Sequence, residues 1–308
     1  MKGYVKLPAV SVIMNCYNSE KYLKEAIDSI YSQTFGDWEV IFWDNQSTDG
    51  SSAIAKSYDD RLKYYLGDEK ITLGAARNKA LEFATGDFIA FLDCDDLWHE
   101  EKLEKQLPLF IEEDVVLVYS DVIEFNSSRE SRLYERRKCY VGECFPDLLK
   151  DYFLSLPSVM VRGSTLRNEP YFFDERYSSA EEAELFFRLA LLGKFAMIDE
   201  PLAKYRIHED SLTSTEPELI WKERYMIIDG FEKSMPAILV KYKREVKVWI
   251  DQAKRNQVMY CLDAGDFVSA RRLMGGIPSS YKTLLLYILT FLPKSCWDMV
   301  KYLKGYMR

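Results

Sequence analysis

Paired cysteines and basic charge are scarce in this sequence. None of its six cysteines forms a CxxC pair, so neither a disulfide framework nor a structural zinc site is expected, and a reducing cytoplasmic compartment suits the chain. The net charge of −8 argues against the basic face with which proteins bind nucleic acid. With 48% hydrophobic and 29% charged residues, the composition is that of an ordinary folded protein.

Long hydrophobic runs are missing as well. The longest run, residues 284–292, is about half as long as a helix that spans a bilayer. The first run, residues 10–14, is too short for the apolar part of a signal peptide. We therefore expect a soluble or peripheral protein. Because lysines and an arginine follow residues 284–292, that segment is either an interfacial helix with basic flanks or a helix packed in a core.

Two glycine-rich phosphate-binding motifs are absent. No GxGxxG follows the first predicted strand, which argues against a nicotinamide dehydrogenase, and no GxxxxGK[ST] occurs, which excludes a P-loop kinase or ATPase. A nucleotidyltransferase would need a phosphate-binding loop of glycine and basic residues near the first strand, and the sequence has none there.

Short apolar runs alternate with amphipathic stretches in the first part of the chain. The runs predict buried strands at residues 10–14 and 87–92, a strand at 38–43 and a short strand at 62–66, with helices between them. This alternation with short connections is typical of an α/β fold with a Rossmann-like, mostly parallel central sheet and helices on both faces. Residues 216–308 show helical periodicity and predict a C-terminal helical region.

The middle of the chain gives further predictions. Further strands are expected at residues 115–120, 156–161 and 195–198, and an acidic helix with an apolar face at residues 180–189. The arginine-rich segment 126–138 predicts a mobile loop or hairpin over the site, or a solvated charged surface.

Three polar clusters follow predicted strands, and the most acidic of them contains Asp93, Asp95 and Asp96. Packing gives no reason to place three carboxylates together at the edge of a core, because their repulsion and desolvation oppose folding. A divalent cation such as Mg²⁺ or Mn²⁺ removes this objection. Alternatively, Asp95 or Asp96 caps a helix that begins near Leu97. The other clusters, residues 15–18 and 44–50, also lie where parallel sheets bind ligands.

Taken in order, six segments resemble those of the family 2 glycosyltransferases, which have the GT-A fold. The segments are residues 10–18 (VSVIMNCYN), 43–50 (WDNQSTDG), 74–78 (GAARN), 91–96 (FLDCDD), 180–185 (AEEAEL) and 205–208 (YRIH). The resemblance implies a GT-A domain over residues 1–215, with a nucleotide-binding half (1–100) and an acceptor half (101–215).

The resemblance also implies an activity. It is inverting, metal-dependent transfer of a hexosyl or N-acetylhexosaminyl group from a nucleoside-diphosphate sugar, such as a UDP-sugar, to a hydroxyl acceptor. The expected acceptors are growing surface polysaccharides or glycans, often on a lipid carrier at the cytoplasmic face of the membrane. The expected cofactor is Mn²⁺ or Mg²⁺.

Site residues follow from the same resemblance. It implies nucleotide binding by Cys16, Tyr17, Asn18, Asp44, Arg77, Asp93 and Cys94, and metal binding by Asp93, Asp95 and His208. The general base would be Glu182, with Glu181 as the second candidate. Simpler interpretations stay open: a turn-capping Asp44, an Arg77 exposed on a helix, a His208 exposed on a loop, and glutamates that stabilise a helix dipole.

The chain departs from the family pattern at two places. It has Asn15-Cys16 where the family usually has Pro-Thr, and Glu181-Glu182 where the family usually has Glu-Asp. The second change concerns the base. It therefore allows a rival interpretation, a non-catalytic protein of the same fold that binds nucleotide sugars.

Overall fold

The computed structural model describes residues 8–209, 215–275 and 281–307. The strands are β1 Val10–Cys16, β2 Trp38–Asp44, β3 Leu62–Leu66, β4 Phe88–Phe91, β5 Leu97–Trp98, β6 Val115–Phe125, β7 Glu130–Arg132, β8 Met160–Arg162 and β9 Lys194–Arg206. The helices are α1 Glu20–Tyr31, α2 Ser51–Ala55, α3 Leu73–Leu81, α4 Lys102–Gln106, α5 Phe145–Lys150, α6 Gly163–Arg167, α7 Glu181–Leu192, α8 Leu219–Ser234, α9 Pro236–Lys241, α10 Lys243–Ala264, α11 Phe267–Met274, α12 Tyr281–Leu289 and α13 Lys294–Met307. Short 3₁₀ helices span Leu107–Ile111 and Leu156–Ser158.

A single mixed sheet has the strand order β3-β2-β1-β4-β8-β6-β9-β5, and β7 pairs with β6. Strand β1 lies between β2 and β4 and is parallel to both, with Val10 opposite Trp38 and Phe88. Strands β2 and β3, and the long strands β6 and β9, are also parallel pairs. The predicted α/β fold with a mostly parallel central sheet is confirmed.

Helix α1 shows why the amino-terminal elements pack as they do. Its positions Leu23, Ala26, Ile27 and Ile30 recur at the helical period, and all are fully buried against the sheet. Each large aliphatic side chain buried in this way contributes roughly 1.5–3 kcal/mol relative to exposure. This packing holds the amino-terminal end of α1 beside the end of β1, where the first polar cluster lies.

One predicted element was wrong in kind and another was wrong in extent. The helix expected from Leu97 is instead the short strand β5, because Leu97 and Trp98 pair with Lys204 and Ala203 of β9. Helix α4 begins only at Lys102. In the strand expected at residues 156–161, a 3₁₀ turn containing Pro157 comes first, and the strand is limited to β8.

The arginine-rich segment 126–138 contains a hairpin, as one of the open interpretations held. Strand β7 pairs antiparallel with the end of β6. Arg132 binds the carboxylates of Asp121 and Asp199, and Arg136 binds Glu124. These arginines therefore neutralise carboxylates of β6 and of β9 nearby.

The described chain divides into two compact units. One comprises residues up to 148 together with 152–208, and the other comprises 149–151 and the described residues from 209 onward. The second unit confirms the prediction of a C-terminal helical region, and part of it is built around Val258, Leu262, Ala270, Met274 and Trp297. Helix α10 ends at Gly265, whose left-handed conformation, with φ +78°, suits glycine. Among the described residues, every helix is too short or too polar to cross a membrane.

Candidate functional site

The loops after β1 and β2 are joined by hydrogen bonds at the carboxyl edge of the sheet. The Asn18 side-chain oxygen accepts from the backbone N–H of Thr48 at 2.8 Å, and the Asn18 N–H donates to the Ser47 hydroxyl at 3.0 Å. The Asn45 N–H donates to the Cys16 carbonyl at 2.8 Å. Two of the three polar clusters therefore form one continuous surface.

Tyr17 is the exposed aromatic residue of this surface. Its ring is 44% exposed, and the Lys70 ammonium lies 3.6 Å from the ring centroid. Next to it, Asn18 has a left-handed backbone with φ 50°, a conformation that asparagine tolerates well. An open aromatic face beside a cation suits the binding of a nucleobase and its phosphates.

Asp44 has the turn-capping role that the sequence left open. Its Oδ1 accepts the Ser47 N–H at 2.7 Å, its Oδ2 accepts the Tyr64 hydroxyl at 2.6 Å, and the residue is fully buried. A base reaches this carboxylate only if the surrounding loop shifts. The contact between Asp44 and a base stays a prediction.

The thiols of Cys16 and Cys94 lie beneath the surface loops. Both residues are buried, and a hydrogen bond with Cys94 lowers the pKa of Cys16 to about 7, against the effect of burial. The same hydrogen bond and burial raise the pKa of Cys94. The Cys94 thiol also contacts the Asn15 carbonyl oxygen at 3.2 Å. The thiols of Cys16 and Cys94 are therefore engaged inside the protein.

The acidic loop, residues 93–96, lies at the end of β4 and does not cap a helix. Strand β5 follows it immediately, and α4 begins at Lys102. Asp96 is buried, and its Oδ1 accepts the Arg206 N–H at 2.8 Å. Burial, together with the charges of Asp95 and Asp93, raises the pKa of Asp96 well above its usual range. Asp96 thus has a structural role, which separates it from the other two aspartates of the loop.

Asp93 and Asp95 are the accessible carboxylates of this loop. Each side chain is about one-third exposed. Burial and the nearby charge of Asp93 raise the pKa of Asp95, while His208, whose Nε2 lies 2.7 Å from Asp95 Oδ2, lowers it. This electrostatic conflict is the kind that a bound cation relieves.

The donor set fits an ion that is completed by ligand oxygens. Within residues 8–209, 215–275 and 281–307, no three histidine, cysteine, aspartate or glutamate side chains are arranged to hold a metal by themselves. Mg²⁺ and similar ions are commonly held by one or two protein carboxylates plus phosphate oxygens, which matches Asp93 and Asp95. His208 contacts Asp95 directly, so in this structure it is the hydrogen-bonding partner of a candidate ligand.

Arg77 connects the acidic loop to α7. It is buried, donates to Asp93 Oδ1 at 2.9 Å, and also pairs with Glu181. Although burial opposes its charge, Asp93 and Glu181 hold the pKa of Arg77 above its usual range. The interpretation of Arg77 as an exposed helix arginine was therefore wrong.

The two candidate bases differ in their surroundings. Glu181 is buried in the ion pair with Arg77. Glu182 is partly exposed to solvent. Its Oε1 accepts a long hydrogen bond from the Tyr152 hydroxyl, 3.4 Å away. Burial and the charge of Glu181 raise the pKa of Glu182 to about 8. Glu182 is therefore the glutamate whose carboxylate is suited to take up a proton near neutral pH.

Sequence reasoning missed two residues of this region. Arg206 donates its backbone N–H to Asp96 and its Nε–H to the Asp95 carbonyl at 2.8 Å, and its Nη2 binds Glu25. Its place in the YRIH segment was the available signal. Tyr152 lies in a stretch without a motif, and nothing in the sequence indicated it.

Comparisons with known proteins agree with this architecture. Residues 11–169, more than half of the chain, match the sequence family 'Glycosyl transferase family 2'. An uncharacterized glycosyltransferase of Methanocaldococcus jannaschii is 34% identical over 215 residues, covering 67% of this chain and 73% of that protein.

Two further proteins are informative. The Escherichia coli protein WfgD, a UDP-Glc:alpha-D-GlcNAc-diphosphoundecaprenol beta-1,3-glucosyltransferase, is 36% identical over 121 residues, 38% of this chain and 48% of that protein. The crystal structure of S. aureus TarS 1-349 in complex with UDP-GlcNAc superposes with a TM-score of 0.64 at 22% identity, covering 92% of this chain and 89% of that one, which shows a shared fold. The chain belongs to glycosyl transferase family 2 and is a sugar-transferring enzyme with the GT-A fold.

Proposed function

We propose that this enzyme transfers one sugar, with inversion, from a UDP-sugar to a hydroxyl of a growing polysaccharide or glycan, with the help of Mn²⁺ or Mg²⁺. The observation that carries the proposal is the chain of contacts from Asp93 through Arg77 to Glu181. Glu182 is the next residue along α7 after Glu181, the partner of Arg77. The cation-binding loop and the proton acceptor would thus be connected through the ion pairs of Arg77 with Asp93 and Glu181.

The donor would lie on the surface formed by the loops after β1, β2 and β4. Tyr17 would stack on the base, Asn18 would hold the loop beneath it, and backbone groups of Cys16 and Cys94 would contact the nucleoside. The complex of TarS with UDP-GlcNAc supports a uridine donor. Asp44 would contact the base after the loop at residues 45–50 shifts.

Asp93 and Asp95 would hold the divalent cation, and His208 would orient Asp95 or become a further ligand. When bound there, such a cation offsets negative charge on the departing diphosphate. Arg77 would keep Asp93 in place and reduce the repulsion between the acidic loop and the phosphates.

Glu182 would take the proton from the acceptor hydroxyl as that oxygen forms its bond to the anomeric carbon of the donor. The leaving nucleoside diphosphate departs from the opposite side, which inverts the configuration. Tyr152 would orient the carboxylate through its hydroxyl, and the ion pair between Arg77 and Glu181 would hold the first turn of α7.

The acceptor is proposed as a surface glycan carried on a lipid at the cytoplasmic face of the membrane. The printed activity of WfgD, on a sugar linked to diphosphoundecaprenol, supports this class of acceptor.

The test is a screen of UDP- and GDP-sugars with and without Mn²⁺ that measures release of the nucleoside diphosphate. We expect Mn²⁺-dependent release from one UDP-sugar. Glu182→Gln should lower turnover by about 10²- to 10⁴-fold while donor binding is retained, and Glu82→Gln, an exposed control, should not. Unchanged turnover in Glu182→Gln would remove Glu182 from its role. Donor binding without turnover in the unaltered enzyme would favour the rival, a non-catalytic nucleotide-sugar-binding protein.

A further inference from the structure

An apolar surface in the C-terminal unit has no role in the proposed chemistry. We call it the apolar patch. It is formed by six large side chains that are each between 40% and 60% exposed, namely Leu284, Leu285, Tyr287, Ile288, Phe291 and Leu292. Single exposed hydrophobic residues are common on proteins, but a contiguous group on one helix and the turn after it marks an interaction site.

The same helix already packs against a core on its other side. Leu286 and Leu289 lie against the cluster that contains Trp297, and Thr290 is buried. Leu284, Ile288 and Phe291 recur at intervals of four and three residues, and thus follow one another along the opposite face. Because the solvent-facing side of this helix is also apolar, contact of that side with a second apolar environment is favoured.

The charge of the last part of the sequence is opposite to that of the whole chain. The chain has a net charge of −8, yet from position 267 onward it has a single acidic residue, Asp298, and seven basic ones: Arg271, Arg272, Lys282, Lys294, Lys301, Lys304 and Arg308. Among those whose side chains are described, Arg272 and Lys294 are exposed.

One basic residue touches the patch itself. Arg271 donates to the Thr290 carbonyl at 2.6 Å, and its guanidinium lies 4.8 Å from the centre of the Phe291 ring. A cation is therefore fixed at the border of the apolar surface. Apolar side chains rimmed by basic ones are the composition of helices that lie in the interface of a bilayer with anionic lipids.

We propose that the apolar patch, with Arg271 at its border and the exposed Arg272 and Lys294 near it in the sequence, docks on the surface of a bilayer that contains anionic phospholipids. The basic charge favours a membrane over a second copy of the chain, because a symmetric dimer would bring the same basic segments face to face. This docking rests on the proposed function, because an acceptor that is carried on a lipid lies in such a membrane.

The test is sedimentation of the whole protein with vesicles of phosphatidylcholine alone or mixed equally with phosphatidylglycerol. We expect binding to the anionic vesicles and much weaker binding to the neutral ones. Leu284→Gln with Phe291→Gln should weaken binding at least tenfold. Arg272→Gln and Lys294→Gln should each weaken it about fivefold, and the exposed control Val240→Gln should not change it.

Each other outcome contradicts the docking. It is wrong if the unaltered protein ignores anionic vesicles, if the patch variants bind as well as the control, or if sedimentation equilibrium shows a dimer that Leu284→Gln with Phe291→Gln dissociates. Should the double variant lose helix content, Arg272→Gln and Lys294→Gln, both at exposed sites, decide the matter. UDP binding measured on the same samples separates the two proposals, since a protein that binds UDP but no vesicles contradicts the docking alone.

Discussion

Replacing Arg77 with Met should expose the cost of leaving a carboxylate buried without its counterion. The paired side chains of Arg77 and Glu181 are each only 3% exposed, so Glu181 would lose this counterion inside the protein. Breaking a buried ion pair from one side costs about 3–5 kcal/mol of unfolding free energy. Asp93 adds little to this cost, because its side chain is one-third exposed and water can replace the arginine.

A double-mutant cycle adds the variant that carries Arg77→Met together with Glu181→Met. Replacing both charges by apolar side chains of similar size is often neutral or stabilising, so the double variant should recover most of the loss. Urea unfolding followed by circular dichroism measures each free energy, and variants are compared when their denaturant slopes agree. Additive losses, or a loss below about 1 kcal/mol in Arg77→Met, would refute the buried ion pair.

Three other predictions concern the proposed site. The raised pKa of Glu182 means that the free enzyme keeps its base protonated below about 8, so kcat/KM should climb with pH to a plateau above that value, and a profile already flat from pH 6 would contradict this. Tyr17→Ala should weaken UDP binding in calorimetry by about 1–3 kcal/mol through lost stacking, whereas Tyr17→Phe should bind as before; equal losses would exclude stacking. Arg206→Gln should weaken Mn²⁺-dependent UDP binding about 10- to 100-fold by loosening the acidic loop, and the exposed Arg61→Gln should not; parity between them would make Arg206 dispensable.

The parallel half of the sheet was predictable because its information is local. Strands β1, β2 and β4 are mostly apolar runs of strand length between polar turns, and β1 is buried almost throughout as such runs predict. The polar clusters were found by the same logic, since the ends of parallel strands meet at one edge.

What the sequence could not show depends on distant partners. Leu97 and Trp98 form a strand only because β9, more than a hundred positions later, offers them hydrogen bonds. Arg77 is buried because Glu181 lies across from it, 104 positions away in the chain. Helix spacing alone made it an ordinary surface arginine. No propensity or motif contains these pairings.

The family resemblance already ranks Glu182 above Glu181 as the base, and the structure adds how the surroundings of the two glutamates differ. In sequence the two glutamates are adjacent and chemically alike. In the structure Glu181 pairs with Arg77, and Glu182 accepts a long hydrogen bond from the Tyr152 hydroxyl. Burial and the charge of Glu181 raise the pKa of Glu182, an effect that depends on these surroundings and not on the sequence alone.

In the proposed mechanism, Asp93 and Asp95 bind a cation and, through it, the diphosphate of the donor. Electron paramagnetic resonance of Mn²⁺ tests it most directly, because free Mn²⁺ has a sharp signal that binding removes. With UDP present, the unaltered enzyme should bind Mn²⁺ stoichiometrically, Asp93→Asn with Asp95→Asn should leave the metal free, and the exposed control Asp87→Asn should bind it normally. If the double variant bound Mn²⁺ and UDP as well as the unaltered enzyme does, the claim would be contradicted.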